Sequence, residues 1–237
     1  MTRSHPLITI FVPTMTSRAA VFEVMMAELN RQMASLVDPS EVELLTELDD
    51  GELTIGAKRN RLLERATGDY VASVDDDDKI HPRYLELITD KLRAHPEVDC
   101  LGINGVTIYP CGTRQKFIYS RAYTEYWTRD GVLNRPPHPF NPVRRSIALQ
   151  FPFEDVRAHE DADVAMRMAR AGVLKREVMI DEPLYTYQTR RNLTGHRWLE
   201  RTEFFRHPLG IKTVNLLRLK RWWRSLAGGD QSIKLTQ

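Results

Sequence analysis

The amino-acid sequence predicts an α/β domain in which a mainly parallel sheet is flanked by helices. Short apolar runs rich in β-branched residues alternate with amphipathic stretches over the first hundred residues. This alternation is typical of parallel sheets whose strands are connected by helices. At 237 residues the chain is long enough to bury a full core. We expect one domain over residues 1–205 and a helical extension over residues 206–237.

Three strands and three helices are predicted first, each strand from a β-rich run and each helix from apolar residues three or four positions apart. They are a strand at 7–12, a helix at 21–33, a strand at 42–48, a helix at 55–67 stopped by Gly68, a strand at 70–74 and a helix at 82–95. A turn at 110–113 then joins strands at 101–109 and 116–119.

Composition limits the classes of function. The chain has 34 Lys and Arg against 32 Asp and Glu, so its overall charge does not indicate a nucleic-acid-binding protein and any basic surface must be local. Cys100 and Cys111 could close a hairpin disulfide, but we interpret them as reduced thiols in a reducing compartment. Without a signal-like N-terminus or a run of about 18 apolar residues, we expect a cytoplasmic protein that is soluble or peripheral.

Four consecutive carboxylates, Asp75 to Asp78, directly follow the third predicted strand. Adjacent like charges repel by roughly 1 kcal/mol in water and about 4 kcal/mol at an effective dielectric near 20. A divalent cation would relieve this repulsion, and hard oxygen ligands suit Mg²⁺ or Mn²⁺ together with substrate phosphates. If the chain stays extended, Asp75 and Asp77 point one way while Asp76 and Asp78 point the other. The alternative is a solvated acidic turn that caps the next helix.

Polar residues follow each of the first three predicted strands. They are Pro13 and Thr14, then Asp49 and Asp50, and then the acidic run. Ligands of open α/β sheets bind beyond the carboxyl ends of the strands. We therefore expect the three groups to converge on one crevice.

A second acidic motif, His159-Glu160-Asp161-Ala162-Asp163, precedes a helical pattern that stops near Gly172. Carboxylates in a first helical turn gain about 0.3 to 1 kcal/mol from the helix dipole, which is a sufficient structural explanation. We interpret Asp163 as such a helix-start residue.

The ordered motifs suggest more than helix capping. Arg59-Asn60, Ala66-Thr67-Gly68-Asp69-Tyr70, the acidic run and Glu160-Asp161 occur in the order seen in family 2 glycosyltransferases of the GT-A fold, which the chain resembles over about residues 6–190. Residues 138–145, followed by the acidic motif and by residues 183–187, also resemble a subgroup common in viruses and phages. Phe140 and Arg144 replace its usual Leu and Lys, and His159 stands where a Gly usually precedes Glu-Asp. The resemblance implies a donor-binding half at about 6–110 and an acceptor and catalytic half at about 111–205.

The resemblance implies a metal-dependent site for a nucleotide-sugar donor. It assigns Asp75 and Asp77 to the metal and the donor diphosphate, with Asp77 as the direct ligand, and places Asp76 beside the donor. Mn²⁺ or Mg²⁺ would be the cofactor. A third ligand in this fold is often a histidine, for which His138 is our candidate, with His159 and His196 as alternatives.

Other positions are implied to hold the rest of the donor. Pro13, Thr14 and Asp49 match nucleoside-binding positions, and a carboxylate can accept a hydrogen bond from uracil, which favours a UDP-sugar. Lys58 and Arg59 could face the diphosphate, or Lys58 could lie with Arg61 and Arg65 on a solvated helix face.

The resemblance assigns the catalytic base to Asp161. This residue would take a proton from the acceptor hydroxyl and lead to inversion at the anomeric carbon, while Glu160 would orient the base or the acceptor. Three aromatic residues could line a sugar platform, but we interpret them as core: Trp127, Tyr185 and Tyr187.

The motifs do not identify the acceptor. Residues 211–226 form a predicted basic amphipathic helix that could pack on the domain, contact an anionic membrane or approach nucleic acid. The subgroup resemblance favours 5-hydroxymethylpyrimidine in double-stranded phage DNA as the acceptor, with a surface polysaccharide or lipid-linked glycan as the alternative. A non-catalytic nucleotide-sugar-binding protein is the alternative from another class.

Overall fold

The computed structural model describes residues 5–189. The predicted extension at 206–237, its basic helix at 211–226 and His196 lie outside the described residues, as does the end of the predicted domain at residue 205.

The described residues form ten strands and five α-helices. The strands are β1 Ile8–Met15, β2 Val42–Asp49, β3 Tyr70–Ser73, β4 Lys79–Ile80, β5 Cys100–Ile108, β6 Arg114–Tyr119, β7 Trp127–Arg129, β8 Val132–Arg135, β9 Val143–Arg144 and β10 Glu177–Gln188. The helices are α1 Ala19–Ala34, α2 Ile55–Arg65, α3 Tyr84–Ala94, α4 Arg145–Ala148 and α5 Glu160–Ala171. All six elements predicted for the first hundred residues are present.

The strands form one mixed sheet with the central order β2-β1-β3-β9-β5-β6-β8-β7. Strand β1 pairs in parallel with β2 and β3, and β5 pairs in parallel with β10. Strand β5 is antiparallel to β6, because the short turn between them cannot make the crossover that a parallel pair needs. The two-residue β9 runs antiparallel between β3 and β5. The predicted α/β fold is confirmed, with antiparallel pairs added in the second half.

Helices cover both faces of the sheet. On β1, Ile8, Ile10 and Val12 belong to the large core cluster with α1 and α3, whereas Phe11 faces Leu62 and Leu63 of α2. This alternation follows from the two-residue period of a strand. Helix α5 contributes Val164 and Met168 to a third cluster against β5 and β9. Full burial of one such side chain contributes about 1.5–3 kcal/mol.

The prediction that Gly68 stops α2 is wrong. The helix ends at Arg65, and the chain leaves it at Ala66 with φ −59° and ψ 138°. Glycine is needed at position 68 for another reason: a Cβ there would lie 2.7 Å from the backbone nitrogen of Thr9. Helix α5 does end at a left-handed Gly172, with φ 58°, as predicted.

Neither cysteine forms a disulfide. Cys100 is buried in β5, and Cys111 is exposed in the turn before β6. No helix within residues 5–189 is long and apolar enough to cross a bilayer.

Candidate active site

The carboxyl ends of β1, β2 and β3 meet at one edge of the sheet, as their parallel pairing predicts. The Thr14 hydroxyl donates to Asp76 Oδ2 over 2.6 Å. The Lys58 ammonium group contacts Asp49 Oδ1 and donates to the Thr14 carbonyl oxygen. The polar groups after the three strands therefore form one connected site.

Lys58 is part of this site and not of a solvated helix face. Its side chain is only 4% exposed, whereas those of Arg61 and Arg65 are more than half exposed and contact Glu47. Burial would raise the pKa of Asp49, but the contact with Lys58 and the backbone N–H of Leu53 lower this pKa to about 2. Asp49 is therefore a firmly ionised carboxylate at the end of β2. Pro13, in the same sheet, is buried on β1 beside Glu47.

The acidic run forms a turn, so the condition of an extended chain, under which the four side chains would alternate, is not met. Strand β3 ends at Ser73, and the Asp78 N–H donates to the Asp75 carbonyl oxygen over 3.3 Å. Asp76 and Asp77 consequently lie close together and share one cation, although the extended geometry would place them on opposite sides. Asp78 turns inward, where its carboxylate accepts from the backbone N–H of Gln188 on β10.

Arg18 is the cation that Asp76 and Asp77 share. It ends the short 3₁₀ turn that follows β1. Its Nη2 atom contacts Asp76 Oδ1 and lies 2.5 Å from Asp77 Oδ1. The Arg18 side chain as a whole is 29% exposed, whereas its Nε and Nη2 atoms are buried against the acidic turn.

Arg59 connects the two acidic motifs. Its Nη2 atom lies 2.8 Å from Asp75 Oδ1, and its Nη1 atom contacts Glu160 Oε1 at the start of α5. The Arg59 side chain is 4% exposed. A buried guanidinium between two carboxylates keeps the turn after β3 and the N-terminus of α5 in fixed relation.

Buried carboxyl groups around Arg59 have raised pKa values. Burial raises the pKa of Asp75, and Arg59 opposes this rise. Burial likewise raises the pKa of Glu160 to about 7. Burial and the neighbouring charge of Asp75 raise the pKa of Asp78 to about 8. Several carboxyl groups thus bind protons more tightly here than they do in water.

Asp161 differs from its acidic neighbours. Burial would raise its pKa, but contact with His138, followed by the charges of Arg135 and Arg59, holds this pKa well below its usual range. The His138 Nε2 atom lies 2.5 Å from Asp161 Oδ2, and Arg135 Nη2 lies 4.0 Å from the same oxygen. The Asp161 side chain keeps 30% of its surface exposed. An ionised and accessible carboxylate in this position can accept a proton.

His138 supports Asp161 as a neutral hydrogen-bond donor. Burial and the charge of Arg135 lower the pKa of His138 to about 4. Within the described part of the chain its Nδ1 atom has no hydrogen-bond partner. We therefore assign the proton to Nε2, because an unpaired lone pair is less costly to bury than an unpaired N–H. Arg135 itself lies between the rings of Tyr119 and Tyr126, 4.7 and 4.3 Å from their centroids.

The predicted metal set of Asp75, Asp77 and His138 is not assembled. Asp75 pairs with Arg59 and His138 with Asp161, and no group of three potential ligands forms anywhere in residues 5–189. The alternative His159 precedes α5 in a left-handed conformation. Two carboxylate oxygens, from Asp76 and Asp77, do converge on one cationic nitrogen. Such a pair fits Mg²⁺ or Mn²⁺, since these ions commonly bind one or two protein carboxylates plus water and phosphate oxygens.

The sequence alone did not indicate the cations Arg18 and Arg135 or the hydrogen bond of Tyr185 to the acidic turn. Arg18 lies in the polar stretch after the first predicted strand, and Arg135 ends β8, which the sequence analysis does not predict. Tyr185 is core, as predicted, being buried and stacked on Phe140 at 4.3 Å. Its hydroxyl also accepts the backbone N–H of Asp75 over 3.0 Å, which ties the acidic turn to β10. Tyr187, by contrast, is 39% exposed.

The fold can be compared with solved structures. Staphylococcus aureus TarS, residues 1–349 in complex with UDP-GlcNAc, superposes with a TM-score of 0.51 at 17% identity, over 78% of this chain and 59% of that one. The fold is GT-A. A UDP complex of the same TarS fragment matches 77% of this chain and 60% of its own length, with a TM-score of 0.48 and 17% identity. This GT-A chain thus spans about three fifths of the length of the TarS fragment.

The sequence also matches a family model. Residues 48–151 match the model described as Glycosyl transferase family 2. This segment, less than half of the GT-A chain, contains Asp49, Lys58, Arg59, the acidic turn and His138, whereas Asp161 lies beyond it. No curated protein sequence matches the chain significantly.

Proposed function

We propose that the protein is a glycosyltransferase that moves a sugar from a nucleoside diphosphate sugar to an acceptor hydroxyl. The observation that carries this proposal is the bridge made by Arg59. It holds the acidic turn, where a diphosphate and its counter-ion would lie, next to the start of α5, where Asp161 is ionised. The GT-A fold and the family match over residues 48–151 support the same reaction class.

Asp161 acts as the general base of the proposed reaction. Its carboxylate removes the proton of the acceptor hydroxyl while the hydroxyl oxygen forms a bond to the anomeric carbon. The bond between that carbon and the diphosphate oxygen breaks, and the electron pair leaves with the nucleoside diphosphate. Attack from the face opposite the leaving group inverts the anomeric carbon. His138 and Arg135 both contact Oδ2 and keep the base ionised and oriented.

The donor is proposed to be a UDP-sugar. Asp49 is a well-oriented acceptor at the end of β2, suited to the uracil N–H, beside Pro13 and Thr14 of β1. The TarS structure of the same fold was solved with UDP-GlcNAc, which supports this donor class. Mn²⁺ or Mg²⁺ would be held by Asp77 with Asp75 or Asp76, and when bound it stabilises negative charge on the departing diphosphate.

The acceptor we propose is 5-hydroxymethylpyrimidine in double-stranded DNA, on the subgroup resemblance of residues 138–145 alone. A surface polysaccharide or lipid-linked glycan is the second candidate, because residues 211–226 combine basic and apolar side chains suited to a membrane surface. One assay of nucleoside diphosphate release distinguishes these two acceptors.

The test measures release of nucleoside diphosphate from a panel of UDP-sugars with Mn²⁺, with and without DNA containing 5-hydroxymethylcytosine. Mass spectrometry of the digested nucleosides then identifies a sugar-sized gain. DNA-dependent release of nucleoside diphosphate together with a sugar-sized mass gain on the nucleoside supports the DNA acceptor. Slow release at the same rate with and without DNA indicates a glycan acceptor instead.

Asp161→Asn is expected to lower turnover by about 10²–10⁴-fold while UDP binding is retained. The matched control is Asp163→Asn, which changes a carboxylate in the same helical turn that pairs with Arg167. Unchanged turnover in Asp161→Asn would exclude Asp161 as the base. UDP-sugar binding without any turnover, across all acceptors, would favour the non-catalytic alternative.

A further inference from the structure

Two arginine side chains that differ in burial contact the acidic turn. Arg59 is buried beneath the site and is held by Asp75 and by Glu160 of α5. Arg18 contacts Asp76 and Asp77 through its buried Nη2 atom and keeps 29% of its side chain exposed. Arg59 joins two elements and is 4% exposed, whereas Arg18 pairs with two carboxylates of one turn and is the more exposed of the two.

The oxygens that contact Arg18 are oriented by other parts of the fold. The Thr14 hydroxyl holds Asp76 Oδ2, so Oδ1 of the same carboxylate points to Arg18. The turn at Asp75–Asp78 brings Asp77 Oδ1 to 2.5 Å from the same guanidinium nitrogen. One guanidinium nitrogen thus lies in ion-pair contact with two oxygens from two carboxylates, which is the arrangement that a single small cation would require.

A free divalent ion and Arg18 cannot both occupy this position. Each is a cation that needs the same two oxygens, and the positive charges would repel each other at contact distance. A displaced guanidinium group would bind the donor diphosphate, because arginine can bind phosphate oxygens in a bidentate manner.

We propose that Arg18 takes the place of the divalent ion between Asp76 and Asp77, and that ion and donor diphosphate together displace it. Arg18 therefore weakens binding of the free ion and makes ion binding depend on the nucleotide. The inference rests on the proposed function for the identity of the nucleotide, but not for the competition between Arg18 and the ion.

The experiment measures Mn²⁺ binding to the full chain by electron paramagnetic resonance of free Mn²⁺, with and without UDP. Arg18→Met removes the charge and keeps most of the side-chain volume, while Arg18→Lys keeps a positive charge. The control is Arg61→Met, since Arg61 is exposed and its partner Glu47 retains Arg65.

In the wild type, UDP is expected to tighten Mn²⁺ binding by about tenfold or more, within the usual range of coupling between sites. Arg18→Met is expected to bind Mn²⁺ about tenfold more tightly than the wild type when UDP is absent, and to lose most of the effect of UDP. Arg18→Lys should stay near the wild type, and Arg61→Met should match it. Equal or weaker Mn²⁺ binding by Arg18→Met overturns the proposal.

Thermal unfolding gives a second measurement that does not depend on nucleotide. Without metal, Arg18→Met removes a cation that contacts both Asp76 and Asp77, so its Tm should fall below that of the wild type and recover when Mn²⁺ is added. The wild-type Tm should not respond to Mn²⁺ alone. If Mn²⁺ does not change the Tm of Arg18→Met, this result contradicts the proposal.

These results separate the inference from the proposed function. Tighter Mn²⁺ binding by Arg18→Met in a protein that transfers no sugar would support the inference and refute the function. Sugar transfer by a protein whose Mn²⁺ affinity is unchanged in Arg18→Met would do the opposite.

Discussion

Replacing Glu160 by glutamine tests the electrostatics of the site directly. Glu160 is 3% exposed, and burial raises its pKa from 4.5 to about 7 despite the contact with Arg59. A raised pKa in the folded state contributes stability that is complete below pH 4.5 and is lost as the pH rises through 7. At ~1.4 kcal/mol for each pH unit, this loss amounts to about 3 kcal/mol between pH 5 and pH 8.

Glu160→Gln cannot ionise, but its amide oxygen can still accept from Arg59. The variant should match the wild type near pH 5, where Glu160 is largely protonated. At pH 8 its free energy of unfolding should exceed that of the wild type by about 3 kcal/mol.

Urea denaturation followed by tryptophan fluorescence at pH 5, 6, 7 and 8 measures this difference. The other raised carboxyl groups, Asp75 and Asp78, contribute to both proteins and largely cancel in the comparison. Glu64→Gln, at an exposed position on α2, is the control and should show no pH-dependent difference. If the difference between Glu160→Gln and wild type were constant from pH 5 to pH 8, the reasoning from burial would be refuted.

Two further predictions concern the packing that supports the site, and both are measured by urea denaturation. Gly56→Ala places a Cβ 1.8 Å from the Glu154 carbonyl oxygen, so overpacking should lower the free energy of unfolding by about 3 kcal/mol. The control Gly112→Ala meets no atom within 4 Å and should lower it by about 1 kcal/mol. Equal losses in the two variants would contradict this prediction. Asn141→Ala should lower the free energy of unfolding by about 2–4 kcal/mol. The buried amide donates to the carbonyl oxygens of Leu101 and Tyr119 and accepts the backbone N–H of His138, and all three groups would lose this partner. A loss below about 1 kcal/mol would show that these groups form other hydrogen bonds.

Local pattern was sufficient for the main elements but not for the short ones. Strands β1, β2 and β3 lie in β-rich runs, and their boundaries agree with the prediction within three residues. The two-residue strands β4 and β9 are too short to carry a period, and β9 forms the antiparallel pairs between β3 and β5 in the middle of the sheet. Gly68 was misread because its reason is a close approach to Thr9, which is distant in sequence.

By itself, the sequence determined the α/β class and the convergence of Thr14, Asp49 and the acidic run, because carboxyl ends of parallel strands share one edge of a sheet. It also indicated both acidic motifs by their order along the chain. Only the tertiary structure decided which cation serves each carboxylate: Arg18 for Asp76 and Asp77, and Arg59 for Asp75 and Glu160. The Arg59–Glu160 pair spans 101 positions, and the turn at Asp75–Asp78 reorients side chains that an extended chain would separate. Ion pairs depend on distance and burial in space, and neither quantity is encoded in spacing along the chain.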